Sequence, residues 1–427
     1  MPLNYKRLGD YIQPINQRNV NLEVQTLLGV SIKKVLMPSI ANTVGTDMSR
    51  YKIIKKNQFA YGPVTSRNGD KISIALLEEH DKALVSQAYT VFEIIDDEAL
   101  NAEYLMMWFR RPEFDRYARF KSHGSARETF DWDELEDTEL PIPCLEKQRE
   151  IVAEYNTIVN RIKLNETLNK KLEDTAQALY KHWFVDFNFP ITKESCPELV
   201  SGSPELEGKP YKSSGGEMVY NEELDKEIPE GWEVNKVGEL FETLGGGTPS
   251  TTVKEYWENG DILWYSPTDV TGGNGIFSKT TTKKITELGL NKSSAKLIPA
   301  NSLLMTSRAT VGKLLINETI ASTNQGFISI IPNDKFSSYY LYDWIKTQME
   351  EILSLASGST FLEISKSDFR NLSFTEPTDL ILSNYQKRIE PLFDSIKNNI
   401  SQINLLLELK DLVLAKMTKV ETRTSVV

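Results

Sequence analysis

EYLMMW, residues 103–108, returns as YYLYDW at 339–344, so that Tyr104, Leu105 and Trp108 fall on Tyr340, Leu341 and Trp344. Working outward, FAYGPVTSRNGDK (59–71) lines up with LLMTSRATVGK (303–313), matching the Thr-Ser-Arg of one to that of the other. SQAYTVFEI (86–94) matches NQGFISII (324–331), with Gln87 over Gln325. HGSARETFDWDEL (123–135) matches SGSTFLEISKSDF (357–369), and KQREI (147–151) matches YQKRI (385–389). Tyr104 and Tyr340 lie 236 residues apart, Gly124 and Gly358 234. Five matches in one order at nearly one offset mark an internal duplication, so the chain reads as two similar units in tandem.

Each unit has two parts. The first mixes short β-rich runs, such as KISIALL and YTVFEII, with turn signals and one helical run around Trp108 or Trp344. The second is a long helix. Ile151, Ile158, Asn165, Leu172 and Leu179 recur every seven residues, beside Tyr155, Ile162, Asn169 and Ala176. Ile389, Ile396, Ile403, Lys410 and Met417 do the same, beside Leu392, Asn399, Leu406 and Val413. That period is the seam of a coiled coil, and its polar members fix register at some cost in stability. The fold class expected is α+β: two tandem heads of mixed α/β content, related by a pseudo-two-fold repeat, whose two long helices pair antiparallel. The boundaries read as a first head at 1–143, a helix at 144–189, an extended connector at 190–230, a second head at 231–378, a helix at 379–420 and a tail at 421–427. The connector reading rests on its Gly, Ser, Pro and Glu content.

A chain of 427 residues is too long for one core. Cys144 and Cys196 are its only cysteines, which fits a reducing cytoplasm and excludes a disulfide framework. His80, His123 and His182 have no metal-binding spacing to them, so no metal and no cofactor is expected. No apolar run is long enough to span a bilayer. The net charge of -11 argues against general attraction to phosphate, although binding depends on the local face. One run, FRRPEFDRYARFKSHGSAR (109–127), is basic, and reads either as a binding patch or as a solvated helix face.

GGGTPS (245–250) suggests a phosphate cradle, but no Lys-Ser or Lys-Thr follows at P-loop spacing, and Pro249 interrupts a dinucleotide fingerprint. Two readings remain: a tight turn that needs positive φ, or a loop whose bare backbone lies against nucleic acid. The Asn-Pro-Pro-Tyr signature of adenine methyltransferases is missing, so no catalysis is expected of the chain itself.

GGGTPSTTVKEYWENGDILWYSPTDV, LLMTSRATVGK, ASTNQGF, SGSTFLEISKSDF and ALYKHWFVDF resemble stretches of the specificity subunits of type I restriction-modification enzymes. So does the order head, helix, head, helix, over essentially the full chain. The resemblance implies that each head is a target recognition domain reading one half of a split site in double-stranded DNA. It implies that the helices set the spacing between half-sites and hold the methyltransferase subunits, two of them, with restriction and translocase subunits joining through the complex in the cytoplasm. Ile151 to Leu179 spans on the order of 40 Å at ~1.5 Å per residue, about the length of one turn of B-DNA, roughly 34 Å. The candidate DNA-binding residues are Ser66, Arg67, Lys71, Gly124, Ser125 and Arg127 in the first head. In the second they are Gly246, Gly247, Thr248, Ser250, Ser307, Arg308, Lys313, Gly358, Ser359 and Thr360. Hydroxyls donate to phosphate oxygens. Arg67 and Arg308, set at equivalent places by the Thr-Ser-Arg match, read guanine, hold phosphate or form ion pairs. The two Gly-Ser pairs are binding loops or plain turns. The first head departs from the pattern, with YIQPINQRN where the second has its glycine loop. Two alternatives stay open, a recognition subunit of a related system that is not type I and an enzyme using the glycine loop for a nucleotide.

Overall fold

The computed structural model describes residues 5–39, 45–65, 71–123, 128–194, 196–358 and 362–419. They divide into two compact units, one built from the residues up to Lys163 with those from Leu405 onward, the other from Leu164–Asn404.

In the first unit the strands are β1 (Tyr5–Arg7), β2 (Ile12–Ile15), β3 (Leu28–Val30), β4 (Leu36–Pro38), β5 (Lys52–Lys55), β6 (Phe59–Gly62), β7 (Ser73–Leu76), β8 (Lys82–Val85) and β9 (Thr90–Ile94). Helices α1 (Ala102–Arg110), α2 (Pro112–Lys121) and α3 (Trp132–Glu136) follow, then β10 (Glu139–Pro141) and the long α4 (Leu145–Tyr180). The main sheet runs β2-β9-β6-β7, and β1 pairs with β10. Its core holds Phe59, Phe92 and Phe109, with Phe59 and Phe92 stacked at 4.7 Å.

In the second unit α5 (Pro197–Gly202), β11 (Met218–Asn221) and β12 (Lys226–Pro229) precede β13 (Glu233–Lys236), α6 (Val237–Leu240) and β14 (Thr243–Gly245). Next come β15 (Ile262–Tyr265), α7 (Pro267–Thr271), β16 (Phe277–Ser278), β17 (Lys283–Ile285) and α8 (Glu287–Asn291). Strands β18 (Leu303–Thr306), β19 (Leu314–Asn317), β20 (Ala321–Thr323) and β21 (Phe327–Ile330) complete the sheets. Helices α9 (Ser338–Thr347), α10 (Met349–Leu355) and α11 (Lys366–Arg370), strand β22 (Ser373–Glu376) and the long α12 (Asp379–Lys416) end the chain. The sheets run β14-β21-β18-β19-β16 and β17-β15-β20, and β13 pairs with β22.

The duplication is visible bond by bond. Asn101 and Ser337 cap α1 and α9 by accepting from the backbone N–H of Tyr104 and Tyr340. Gln148 on α4 donates to the Ala99 carbonyl at 2.9 Å, and Gln386 on α12 to the Lys335 carbonyl at 2.6 Å. Val64 bridges Thr129, which bridges His123, just as Arg308 bridges Glu363, which bridges Ser357. This last register corrects the Thr-Ser-Arg match. Val64, not Arg67, stands where Arg308 stands, because strand pairing rather than the tripeptide sets the alignment.

The seam of α4 forms as its period requires. Ile151, Tyr155, Ile158, Ile162, Asn165, Asn169 and Ala176 are buried, and Leu172 and Leu179 half-buried. On α12 Ile389, Ile396, Ile403 and Val413 are buried, but the accompanying stripe is Phe393 and Ile400 rather than Leu392 and Asn399. A stripe advancing by four residues tracks a 3.6-residue turn as well as one advancing by three. The helices pair antiparallel in each unit. In the second, Asn165 donates to Gln402 at 2.9 Å and Asn399 to Asn169 at 2.8 Å. In the first, Lys416 meets Glu154 at 3.6 Å. Asn165 and Asn169, the buried polar residues of the α4 seam, thus meet polar partners, which is how such residues select one register.

The segment expected to be an extended connector is folded. After α4, Lys181–Val185 forms a π turn and Phe187 takes a φ of 57°. Phe189 is stacked against Tyr211 at 4.5 Å and near Trp232 at 5.5 Å, and Ile191 is fully buried. Polar composition predicted extension, but Ile191 and Tyr211 within it pack with the flanking Phe187, Phe189 and Trp232 into the core of the second unit.

Candidate nucleic-acid interface

Strand β14 enters the glycine loop in register with β21, Gly245 opposite Ile328. A Cβ on Gly246 would sit 2.2 Å from the carbonyl oxygens of Thr323 and Asn324, and one on Gly247 2.2 Å from Ser294 Oγ. Neither glycine has a positive φ. The reading as a left-handed turn is therefore corrected: these glycines are required by close packing on the chain itself.

Two indoles hold the loop. Trp264 Nε1 donates to the Gly247 carbonyl at 2.9 Å and Trp257 Nε1 to the Ser250 carbonyl at 3.0 Å, with the rings perpendicular at 5.0 Å. What the loop presents is hydroxyl. Thr248 and Ser250 are exposed, Thr248 donating to Gln325 Oε1 at 2.6 Å and Ser250 bonding Thr252 at 2.9 Å. The spacing of Trp257 and Trp264 within the quoted stretch was the available signal for this clamp.

Gln325 begins the turn into β21, and the neighbouring Gly326 carbonyl accepts from Ser307 N–H at 2.8 Å. Arg308 pairs with Glu363, which pairs with Ser357 beside Gly358. The loops at 246–250, 307–313 and 357–358 are thus linked into one edge of the second head. On it, Arg308 is half-exposed with its Nε 3.6 Å from Glu363, and Lys313 is exposed. Ser307 is buried at 4% exposure, so its side chain is not offered to a partner. Gly358 has a φ of 146°, a conformation that suits glycine. Ser359 and Thr360 lie outside the described residues, as do Ser66, Arg67, Gly124, Ser125 and Arg127. In the first head Lys71 is exposed, and Thr65 bonds Ser122 at 3.0 Å on the edge equivalent to Arg308.

The basic run of the first head is an ion-paired face. Arg110 meets Glu78 at 3.5 Å, Arg116 meets Glu113 at 3.2 Å, Lys121 meets Glu134 at 3.7 Å, and Arg119 pairs with Glu128. Arg111 is buried over the Trp108 ring at 4.2 Å, and burial lowers its pKa. Among the described residues no cluster of His, Cys, Asp or Glu is arranged to hold a metal ion, and no helix is long and apolar enough to cross a membrane.

Residues 38–174 and 229–410 match the family model of the type I restriction modification DNA specificity domain, well over half of the chain. The chain belongs to that family. The two matched stretches each join a head to its long helix, as the duplication does. Among curated members of the specificity family, the type I restriction enzyme HindI specificity subunit of Haemophilus influenzae is 28% identical over 422 residues, covering 90% of each chain. The MjaIX specificity subunit of Methanocaldococcus jannaschii is 28% identical over 335 residues, 77% of this chain and 71% of that one. The crystal structure of the type I restriction-modification system S subunit from M. genitalium shares the fold, with a TM-score of 0.53 over 97% of this chain and 95% of that chain at 14% identity.

Proposed function

We propose that this specificity-family chain directs a type I restriction-modification complex to a bipartite site in double-stranded DNA, the first head reading one half and the second head the other. The observation that carries this is the repeated strand order and edge geometry of the two heads, each a separate sheet with its own loop edge. The antiparallel helices set the distance between the half-sites and dock the methyltransferase subunits, two per chain, in the cytoplasm. Restriction subunits join through them, and cutting and methylation belong to those partners. On the second head's edge, Thr248, Ser250, Arg308 and Lys313 are the contacts we assign, and on the first head's Lys71.

Sequencing the methylated bases of cells with and without the gene tests this. A split motif that disappears with the gene is expected, and no gene-dependent motif would end the proposal. Exchanging residues 1–143 for the head of another family member is expected to change one half of the motif only. Matched seven-residue insertions in both helices keep the seam in phase and are expected to widen the gap while both halves stay. An insertion at 186–190 is no test of spacing, because Phe187 and Phe189 are buried there.

A further inference from the structure

We propose that the notch lined by Thr251, Trp257, Thr282, Lys283 and Lys284 is a seat for the DNA phosphodiester backbone, with Lys283 and Lys284 as its charge contacts. This rests on the reading of the second head as a DNA-reading unit, and adds residues that neither the motifs nor the repeat pointed to.

The notch, of about 380 Å³, adjoins the loop that displays Thr248 and Ser250. Strand β17 forms the edge of its sheet and pairs with β15, Lys283 opposite Trp264. The Lys283 ammonium lies over the Trp257 ring at 5.6 Å. Trp257 in turn holds the Ser250 carbonyl, and Trp264 the Gly247 carbonyl. One pair of indoles therefore fixes both the hydroxyl loop and the lysine strand, and the two are presented as a single surface.

The absence of a carboxylate distinguishes this notch from three other clefts of the heads, including the one lined by Lys236, Lys366 and Arg370, which also holds Glu239. The one around Gly273 is lined by Asp269 and Glu318, and the one beneath Trp108 by Glu113, Asp137 and Glu139. The notch at Trp257 has two lysines and a threonine hydroxyl and no carboxylate in its lining. Elsewhere in the same head Lys279 pairs with Glu318, and Lys335 with Glu376 and Asp379. Lys283 and Lys284 form no ion pair among the described residues. In a chain of net charge -11, two adjacent cations left without carboxylates on an exposed strand are suited to an anion brought from outside. A lysine ammonium is a point charge that suits phosphate rather than a base edge.

The test measures affinity of the full chain in its native complex across a salt series, for a duplex carrying the methylated motif and for a scrambled duplex. The double variant Lys283→Ala, Lys284→Ala is expected to lose affinity for both duplexes by the same factor. Its plot of log affinity against log salt becomes shallower by roughly 0.9 for each phosphate contact removed, and the methylated motif is unchanged. Lys283→Arg with Lys284→Arg restores the slope. Unchanged affinity and slope in the alanine variant overturn the proposal, as does a loss confined to the motif duplex, which would make the lysines base readers. Should the double variant fail to assemble, Lys284→Gln alone carries the same expectation at half the slope change. A wild-type complex that binds neither duplex overturns the reading of the head itself.

Discussion

Strand β2 of the first head and β14 of the second occupy the same place in their sheets, Pro14 opposite Phe92 and Thr243 opposite Ile330, and then diverge. In the first head the chain closes on itself. Asn19 is buried, donates to the Val24 carbonyl at 2.9 Å and accepts from Val24 N–H at 3.1 Å. In the second head the equivalent stretch is clamped from outside by Trp257 and Trp264, and glycines let it lie against neighbouring backbone. A fixed sheet register thus carries two unrelated ways of shaping the edge, and two heads of one fold can present different chemistry to two half-sites. The second head also has a folded arm, from Phe187 to Trp232, packed into its core.

That arm gives the largest expected difference. Phe189→Ala removes a stacked ring at 1% exposure, a change worth about 3–5 kcal/mol. Calorimetry is expected to show the second unit melting earlier while the first is unmoved. A thermogram without that separation would deny the arm its place in the core.

The helices beneath the edges differ in a titrating group. Asp343 is fully buried where the first head has Met107, and it accepts from Tyr385 Oη at 3.0 Å, with Glu173 and Lys346 acting on it at longer range. Burial pushes its pKa up to about 8. A carboxyl raised in the folded state stabilises the fold fully below its unfolded pKa near 4, and that contribution is lost as pH rises to about 8. Asp343→Asn is expected to remove this dependence and to leave the second unit more stable than wild type at pH 8, by on the order of a few kcal/mol. Asn keeps an acceptor for Tyr385. Melting curves at pH 5 and pH 8 decide it: equal shifts at both would sink the assignment.

Next is the edge itself. Gly246→Ala is expected to cost about 1–3 kcal/mol, since the clash is with backbone oxygens, and to blur one half of the methylated motif. Gln17→Ala, exposed at the corresponding place in the first head, is expected to stay within about 0.5 kcal/mol. Comparable effects at the two positions would show that the clamp is not what separates the heads.

Arg308→Ala is expected to cost under about 1 kcal/mol of stability, as suits a half-exposed ion pair. Its effect on specific binding is about 1–3 kcal/mol with relaxed preference at one base pair, if the guanidinium leaves Glu363 for guanine. Competition binding against single-base-substituted duplexes separates this from a phosphate contact, which weakens all sequences alike. In the first head Val64 stands at that position and offers no such contact.

The sequence by itself determined the duplication and the seam, because both are periodic. A repeat needs only matching residues at one offset, and the burial of Ile151, Ile158 and Ile162 follows from helical geometry within a single segment. It also singled out Thr248 and Arg308 as candidate contacts, through the resemblance of their motifs, without showing that the fold would set them on one edge. Only the tertiary structure decided why Gly246 is glycine, since the obstructing oxygens belong to residues 323 and 324, far along the chain. Only it showed that Arg308 aligns with Val64, because hydrogen bonds between strands set the register and a shared tripeptide does not. The basic run of the first head was neutralised by carboxylates at 78, 128 and 134, and the arm after Phe187 found its core in Tyr211 and Trp232. Composition sums charge and polarity along the chain, whereas pairing and burial depend on which distant side chains the fold brings within a few ångströms.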